Sequence, residues 1–322
     1  MPNGGSASFE KFNYLLRPSK QVERKLFIEA LHKLSAVSFR IPEYTYLGFG
    51  SIYYADFILF HKYLYIDKMI CVESASIPNR MRFNIPFEFI DLHMKKVAQI
   101  IPQLNRDEKY IVWLDYEKHL DRDILADTAG LLHVLVPGSV LIVTVDADPR
   151  LLEEQEADEE CRERQIQNLL ATFKAELGKY YAGEMRRNVI SRTGLPKLFA
   201  NILRSQFHEE LAKRPGIEFH QLFNFKYADG AQMFSLGGVV GDAEDGRKLT
   251  NSGVFELKFV TKGEEPVRIS VPPLTVREKQ WLEQRLNDSL KPEDLAFELH
   301  QDLLENFRLY YRHYPSYHET LV

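Results

Sequence analysis

The sequence predicts a doubly wound α/β fold: a mostly parallel sheet of seven strands with a late antiparallel hairpin, and helical additions at both ends. Three observations predict it. From residue 44 onward, short apolar runs ending in small or acidic residues alternate with longer helical stretches, as repeated βαβ units require. Two later apolar segments flank Asp229 and Gly230, a signal for a tight antiparallel turn. Finally, 322 residues with 45% hydrophobic and 27% charged side chains can bury a large core.

The elements follow in chain order. Residues 20–35 set Val22, Leu26, Phe27, Ala30, Leu31 and Leu34 on one helical face, with Lys, Arg and Glu opposite, and Pro18 limits the start. Five strand-like runs come next: YTYLGFG (44–50), MICVES (69–74), FEFIDL (87–92), YIVWLDY (110–116) and SVLIVTVDA (139–147). YYADFILFHKYLY and DRDILADTAGLLHVL, the latter capped by Asp121, read as crossover helices. Helical regions at about 151–182, opening on the solvated run EEQEADEE, and at about 195–214 lead to the hairpin FHQLFNFKY and AQMFSLGGVV. Residues 241–253 have the composition of a mobile loop, and VFELKFV reads as a short strand. Thr275 and Glu278 form a capping-box pattern, and Pro292 is placed to open a last helix ending near Tyr311. Three parts result: a helical segment 1–43, an α/β domain 44–240 and a loop with a helical extension 241–322.

The totals exclude several classes. A net charge of -5 gives no whole-chain attraction to nucleic acid. Cys71 and Cys161 fit neither a disulfide framework nor a zinc motif, so a reducing cytoplasm and structural thiols are expected. The first residues lack an export pattern, and the most apolar run, near Leu131 to Val145, is broken by Pro137 and Gly138, so no membrane span is expected.

The residues able to carry chemistry cluster at strand ends. The first strand runs into Gly48, Gly50 and Ser51 and then a helix, and such a turn lets a ligand approach the backbone at the carboxyl edge of a sheet. Glu73 closes the second strand, where a carboxylate accepts from both hydroxyls of a ribose. Asp91 is placed at the end of the third strand, suited to an adenine amino group or simply to a helix cap. Asp115 ends the fourth and is the leading catalytic residue, able to orient or deprotonate a nucleophile, with Tyr116 beside it to stack on a planar group.

Taken together, the glycine turn, Glu73, Asp115 and the late hairpin resemble the class I S-adenosylmethionine-dependent methyltransferases over about residues 40–240. FNYLLRPSKQVERK followed by YLGFGSIYYADFILFHKYL is similar to a bacterial group labelled O-methyltransferase. The resemblance implies a Rossmann-like methyltransferase fold and S-adenosylmethionine bound by Tyr46, Gly48, Gly50, Ser51, Glu73 and Asp91. Asp115 and Tyr116 would then face a methyl acceptor. Tyr44 and Tyr46 depart from it, standing where many relatives carry an acid ahead of the first glycine. The alternative is therefore an inactive methyltransferase-like binding or scaffold protein, in a bacterial defence or mobile-element setting.

Motifs of adenine-amino and cytosine-C5 methyltransferases are missing, and a nicotinamide oxidoreductase is disfavoured by the hairpin. Asp115 with Asp146 or Asp148 offers a magnesium arrangement, though solvated loop acids are the preferred reading. Arg17, Lys20, Arg24 and Arg40 are expected as solvated helix charges, with closure of the site or a protein or nucleic-acid partner as their functional reading. The tail FRLYYRHYPSYHETLV offers a second partner surface, or folds back on the core through Phe307, Leu309 and Tyr310.

Overall fold

The structure is a computed structural model that describes residues 17–74, 77–149, 159–180, 189–286 and 290–315. Its centre is one eight-stranded sheet in the order β3-β2-β1-β4-β5-β7-β6-β8. The strands are β1 (Thr45–Phe49), β2 (Lys68–Val72), β3 (Ile90–His93), β4 (Tyr110–Asp115), β5 (Ser139–Asp146), β6 (Glu218–Asp229), β7 (Ala231–Gly241) and β8 (Val267–Arg268). The first five pair in parallel, and β7 runs antiparallel to both β5 and β6. The expected sheet is thus present, with a two-residue strand added at the β6 edge.

Strand alternation divides the core between two faces. Tyr46, Trp113 and Ile142 point to one side, where they meet α1 (Pro18–Ser35) and α2 (Ala55–Leu64). Leu47, Val112 and Val143 point to the other, against α5 (Arg122–Val134) and α7 (Gly194–Leu211). Between these lie the short helices α3 (Pro78–Phe83) and α4 (Val97–Ile100), while α6 (Glu159–Leu177) precedes α7. Asp121 caps α5 as the sequence indicates, its carboxylate accepting from the Ile124 amide at 2.9 Å.

Helix α1 belongs to the sheet. Phe27 meets the rings of Trp113 and Phe223 at centroid distances of 4.9 and 4.7 Å. Its first turn has Pro18 at the opening position but no cap from its own residues. The cap comes from the hairpin: the Asp229 carboxylate accepts from the amides of Ser19 (3.0 Å) and Lys20 (2.8 Å). Gly230, at φ +111°, closes the turn in a region that favours glycine.

Three expectations are corrected. Residues 241–253 are not a loop: they hold α8 (Ala243–Asn251), because Asp242 caps its amides and Leu249 is a buried anchor within a polar sequence. VFELKFV opens with a 3-10 turn, Val254–Glu256, rather than a strand. Pro292 starts only a 3-10 turn, and the last helix, α10 (Gln301–Tyr310), begins nine residues later, after α9 (Val276–Gln284), whose Thr275–Glu278 capping box forms. Of the C-terminal aromatics, Phe307 and Tyr310 are fully buried, and residues 316–322 lie outside the described residues. The acidic run 151–158 lies outside the described residues. Among the described residues no helix is long and apolar enough to cross a membrane.

Two glycines test the packing in opposite directions. A Cβ on Gly238 would lie 2.2 Å from the His220 carbonyl oxygen of the neighbouring strand, whereas one on Gly130, inside α5, meets only Ile101 at 3.4 Å. In denaturant melts Gly238→Ala is expected to lose about 1–3 kcal/mol of stability. Gly130→Ala is expected to gain about 0.5–1 kcal/mol. Removing the cap by Asp229→Ala should cost about 1 kcal/mol in the same assay.

Candidate functional site

The strand order reverses direction between β1 and β4, so the crevice of a doubly wound sheet opens at their carboxyl ends. Phe49 pairs with Val72, which sets the next residues, Gly50 and Glu73, level on adjacent strands. Glu73 is half-buried; its amide donates to the His93 carbonyl at 3.0 Å and its carboxylate accepts from the Ser74 amide at 2.8 Å. The turn after β1 is held from within: the Ser51 hydroxyl accepts from the Tyr53 amide at 3.2 Å, and Tyr54, at φ 46°, leads into α2.

The two glycines make room for the protein's own side chains. A Cβ on Gly48 would fall 2.3 Å from the Tyr46 hydroxyl, and one on Gly50 would fall 2.4 Å from the Cys71 sulfur. Tyr46 is wholly buried against Phe57 and Phe60, with ring centroids at 4.9 and 4.7 Å. Its hydroxyl has no hydrogen-bond partner among the described residues. Burial, with Asp56 and Asp115 nearby, drives that phenol well above its ordinary range. Burial and the neighbouring Glu73 push the Cys71 thiol up to about 12, which makes it an unreactive packing group.

The basic group ahead of the first strand is not solvated, which corrects that expectation for two of its members. Lys20 and Arg24 are 1% and 2% exposed. The Lys20 ammonium lies 2.8 Å from the Asp115 carboxylate, 3.0 Å from that of Glu23 and 4.3 Å from the centroid of the Trp113 ring. Arg24 is bound to Asp56 on α2. Burial raises the Glu23 carboxyl despite the opposing pull of Lys20, and the Ser235 hydroxyl donates to it. Two cations thus meet three carboxylates beneath the carboxyl edge. Arg40 is exposed and pairs with Glu43 at 3.5 Å.

Asp115, the last residue of β4, is the member of this group that reaches outward, with its side chain 19% exposed. Tyr116 stacks edge-on against Phe49 at 5.0 Å, and its hydroxyl donates to Asp127 of α5 at 2.7 Å. Its ring therefore walls the crevice while its hydroxyl is held on the opposite face, and burial raises that phenol far above its ordinary range. Asp91 does not end its strand: it pairs with Ile70 inside β3, is exposed and binds the His93 ring at 2.7 Å. Asp148 accepts from the Gln232 amide at 2.8 Å and Asp146 from the Asp148 amide at 2.7 Å, so both brace the β5–β7 junction. Among the described residues no cluster of His, Cys, Asp or Glu is arranged to hold a metal ion.

Reasoning from the sequence missed Glu23, Asp56 and Tyr227, which line this buried group. A signal was present: Lys20, Glu23 and Arg24 continue the stripe that Phe27, Leu31 and Leu34 bury.

Residues 12–322 match the family described as "Putative O-methyltransferase". Among solved structures the chain is similar to Trm1 from Pyrococcus horikoshii, determined with S-adenosyl-L-methionine. The TM-score is 0.46 at 11% identity, over 75% of this chain and 58% of that one, less than two thirds of its length. It is also similar to the O-methyltransferase TomG from Streptomyces achromogenes in complex with SAM (TM-score 0.36, 16% identity, 71% of this chain and 91% of that one). A third is the O-methyltransferase from Bacillus cereus in complex with SAH (TM-score 0.35, 14% identity, 72% and 86%). No curated protein matches the sequence. With the match running from residue 12 to the last residue, the chain belongs to the family described as "Putative O-methyltransferase".

Proposed function

We propose that the chain is an S-adenosylmethionine-dependent methyltransferase that moves a methyl group to an oxygen or nitrogen of an acceptor. The observation that carries this reading is the level placement of Gly50 and Glu73 at the switch point, beside Asp115 at the end of β4. Family membership supports the chemistry. The residues fit the cofactor on one further count: the buried Tyr46 hydroxyl beside Gly48 lacks a partner among the described residues, as a group awaiting a ligand would.

Glu73 would hold the ribose hydroxyls, with the turn Gly48 to Ser51 following the rest of the molecule and Tyr46 offering its hydroxyl. The cofactor supplies a methyl group already activated on a sulfonium, so the protein's work is alignment and exclusion of water. Asp115, steadied by Lys20, would orient the acceptor by accepting a hydrogen bond from its O–H or N–H group. The ring of Tyr116, packed on Phe49, would close the crevice from the far face.

One observation favours the second reading, a methyltransferase-like binding protein without turnover. Tyr46 and Cys71 fill the space above both glycines, so the turn is shaped by the protein's own packing as well as by any ligand.

Calorimetric titration separates the readings. Wild-type protein should bind S-adenosylmethionine or S-adenosylhomocysteine in the micromolar range, about -8 kcal/mol. Glu73→Ala should weaken this by about tenfold or more, the loss expected of a hydrogen bond to a charged group. Asp115→Asn should leave it nearly unchanged. Binding without methyl transfer across a broad acceptor screen would give the second reading, and no binding by folded protein would sink the enzyme.

A further inference from the structure

Part of the surface expected for a partner is buried. Lys20 and Arg24 are buried, and the C-terminal aromatics Phe307 and Tyr310 are in the core. Aromatic rings instead come to the surface at the other end of the sheet, along the β3 edge. Phe83 is 89% exposed, Tyr65 71% and Phe89 37%, whereas among the described residues most other large apolar side chains are buried. Phe87 and Phe89 lie nearly parallel, 5.1 Å apart at 8°, and both meet the His61 ring, at 4.4 and 4.8 Å. Tyr65 follows His61 by one helical turn at the end of α2.

Cations border these rings. Arg80 and Arg82 are exposed on α3 beside Phe83, Lys62 is exposed beside His61, and Lys95 and Lys96 are exposed just past β3. Residues 61–96 hold six Lys and Arg against four Asp and Glu, within a chain whose net charge is -5. The segment also leads to the crevice. Met81 sits over the turn after β1, its methyl 3.4 Å from where a Gly50 Cβ would be, and its carbonyl accepts from the Tyr54 hydroxyl at 3.0 Å. From there the chain runs through Phe83 and Phe87 to the amino end of β3.

We infer that this edge, from Arg80 and Phe83 to Phe89 and Tyr65, binds a single-stranded polynucleotide whose path ends at the Gly50 turn. Exposed rings such as Phe83 and Tyr65 offer faces to unpaired bases regardless of sequence, and the exposed Arg80, Arg82, Lys62, Lys95 and Lys96 outnumber the exposed acids Asp67, Glu88 and Asp91 and would meet the phosphates. The charge complementarity is local, so the net negative charge of the whole chain does not oppose it. An apolar protein interface would instead show a continuous patch depleted of charge at its centre.

Fluorescence anisotropy with labelled single-stranded oligo(U) and oligo(dT) of about twelve nucleotides tests this, with a duplex of equal length alongside. At about 50 mM salt the wild type should bind both strands more tightly than the duplex, and binding should weaken steeply as salt rises. Phe83→Ala with Phe89→Ala should lose about tenfold in affinity. Arg80→Glu with Arg82→Glu should lose as much and flatten the salt dependence, while Arg277→Glu, an exposed charge on α9, should change nothing. No binding, preference for the duplex, or an equal loss in Arg277→Glu would overturn the proposal. So would sedimentation showing that Phe83 drives self-association, which would give the face to a second copy of the chain.

Discussion

Lys20 sits between two carboxylates and the face of Trp113, shut off from water, and the geometry of the carboxyl edge depends on its being there. It fixes Asp115 from below, and one turn later Arg24 fixes Asp56 at the start of α2. The ion pairs therefore join the helix before the sheet to the two elements that frame the crevice. Desolvating these charges is costly, and such a group is stable only as a set. Removing one partner leaves another buried and uncompensated, at a cost of about 3–5 kcal/mol. An apolar seam would hold α1 to the sheet at lower cost, so the charges are better explained by what they place than by what they stabilise.

The same economy of space governs the turn after β1. Gly48 and Gly50 are small because Tyr46 and Cys71 already fill the volume a side chain would need. A glycine-containing turn at a sheet edge is thus accounted for in this protein by the close packing of its own side chains. Glu73 follows the strand beside it, level with Gly50.

Much of the fold was legible because its signals are local. Each strand is an apolar run, Asp121 and Thr275 cap the helices their spacing marks, and Asp229-Gly230 turns the hairpin. Residues 241–253 have the composition of a loop, yet Asp242 and Leu249 cap and anchor a helix in a stretch otherwise rich in turn formers. The ion network was hidden for a different reason. Lys20 and Arg24 look like ordinary surface charges until Asp115 and Asp56 are brought against them, and no local window contains both partners. Asp91 was placed correctly in a strand but not at its end, since β3 is displaced toward His93. Nothing in the pattern around Phe83 distinguished it from the many phenylalanines that are buried.

The contact between the Lys20 amide and Asp229 joins residues 209 positions apart. During synthesis α1 is made before the sheet, yet its cap is made only with the hairpin, and Asp115 comes into being well after Lys20. Until then the amphipathic helix has no sheet face to cover and its cations remain in water. Closing so long a loop is entropically expensive, so docking of α1 belongs among the late events of folding. A helix made before the sheet is then among the last elements to reach its native place, since its cap waits for the hairpin encoded in the second half of the chain.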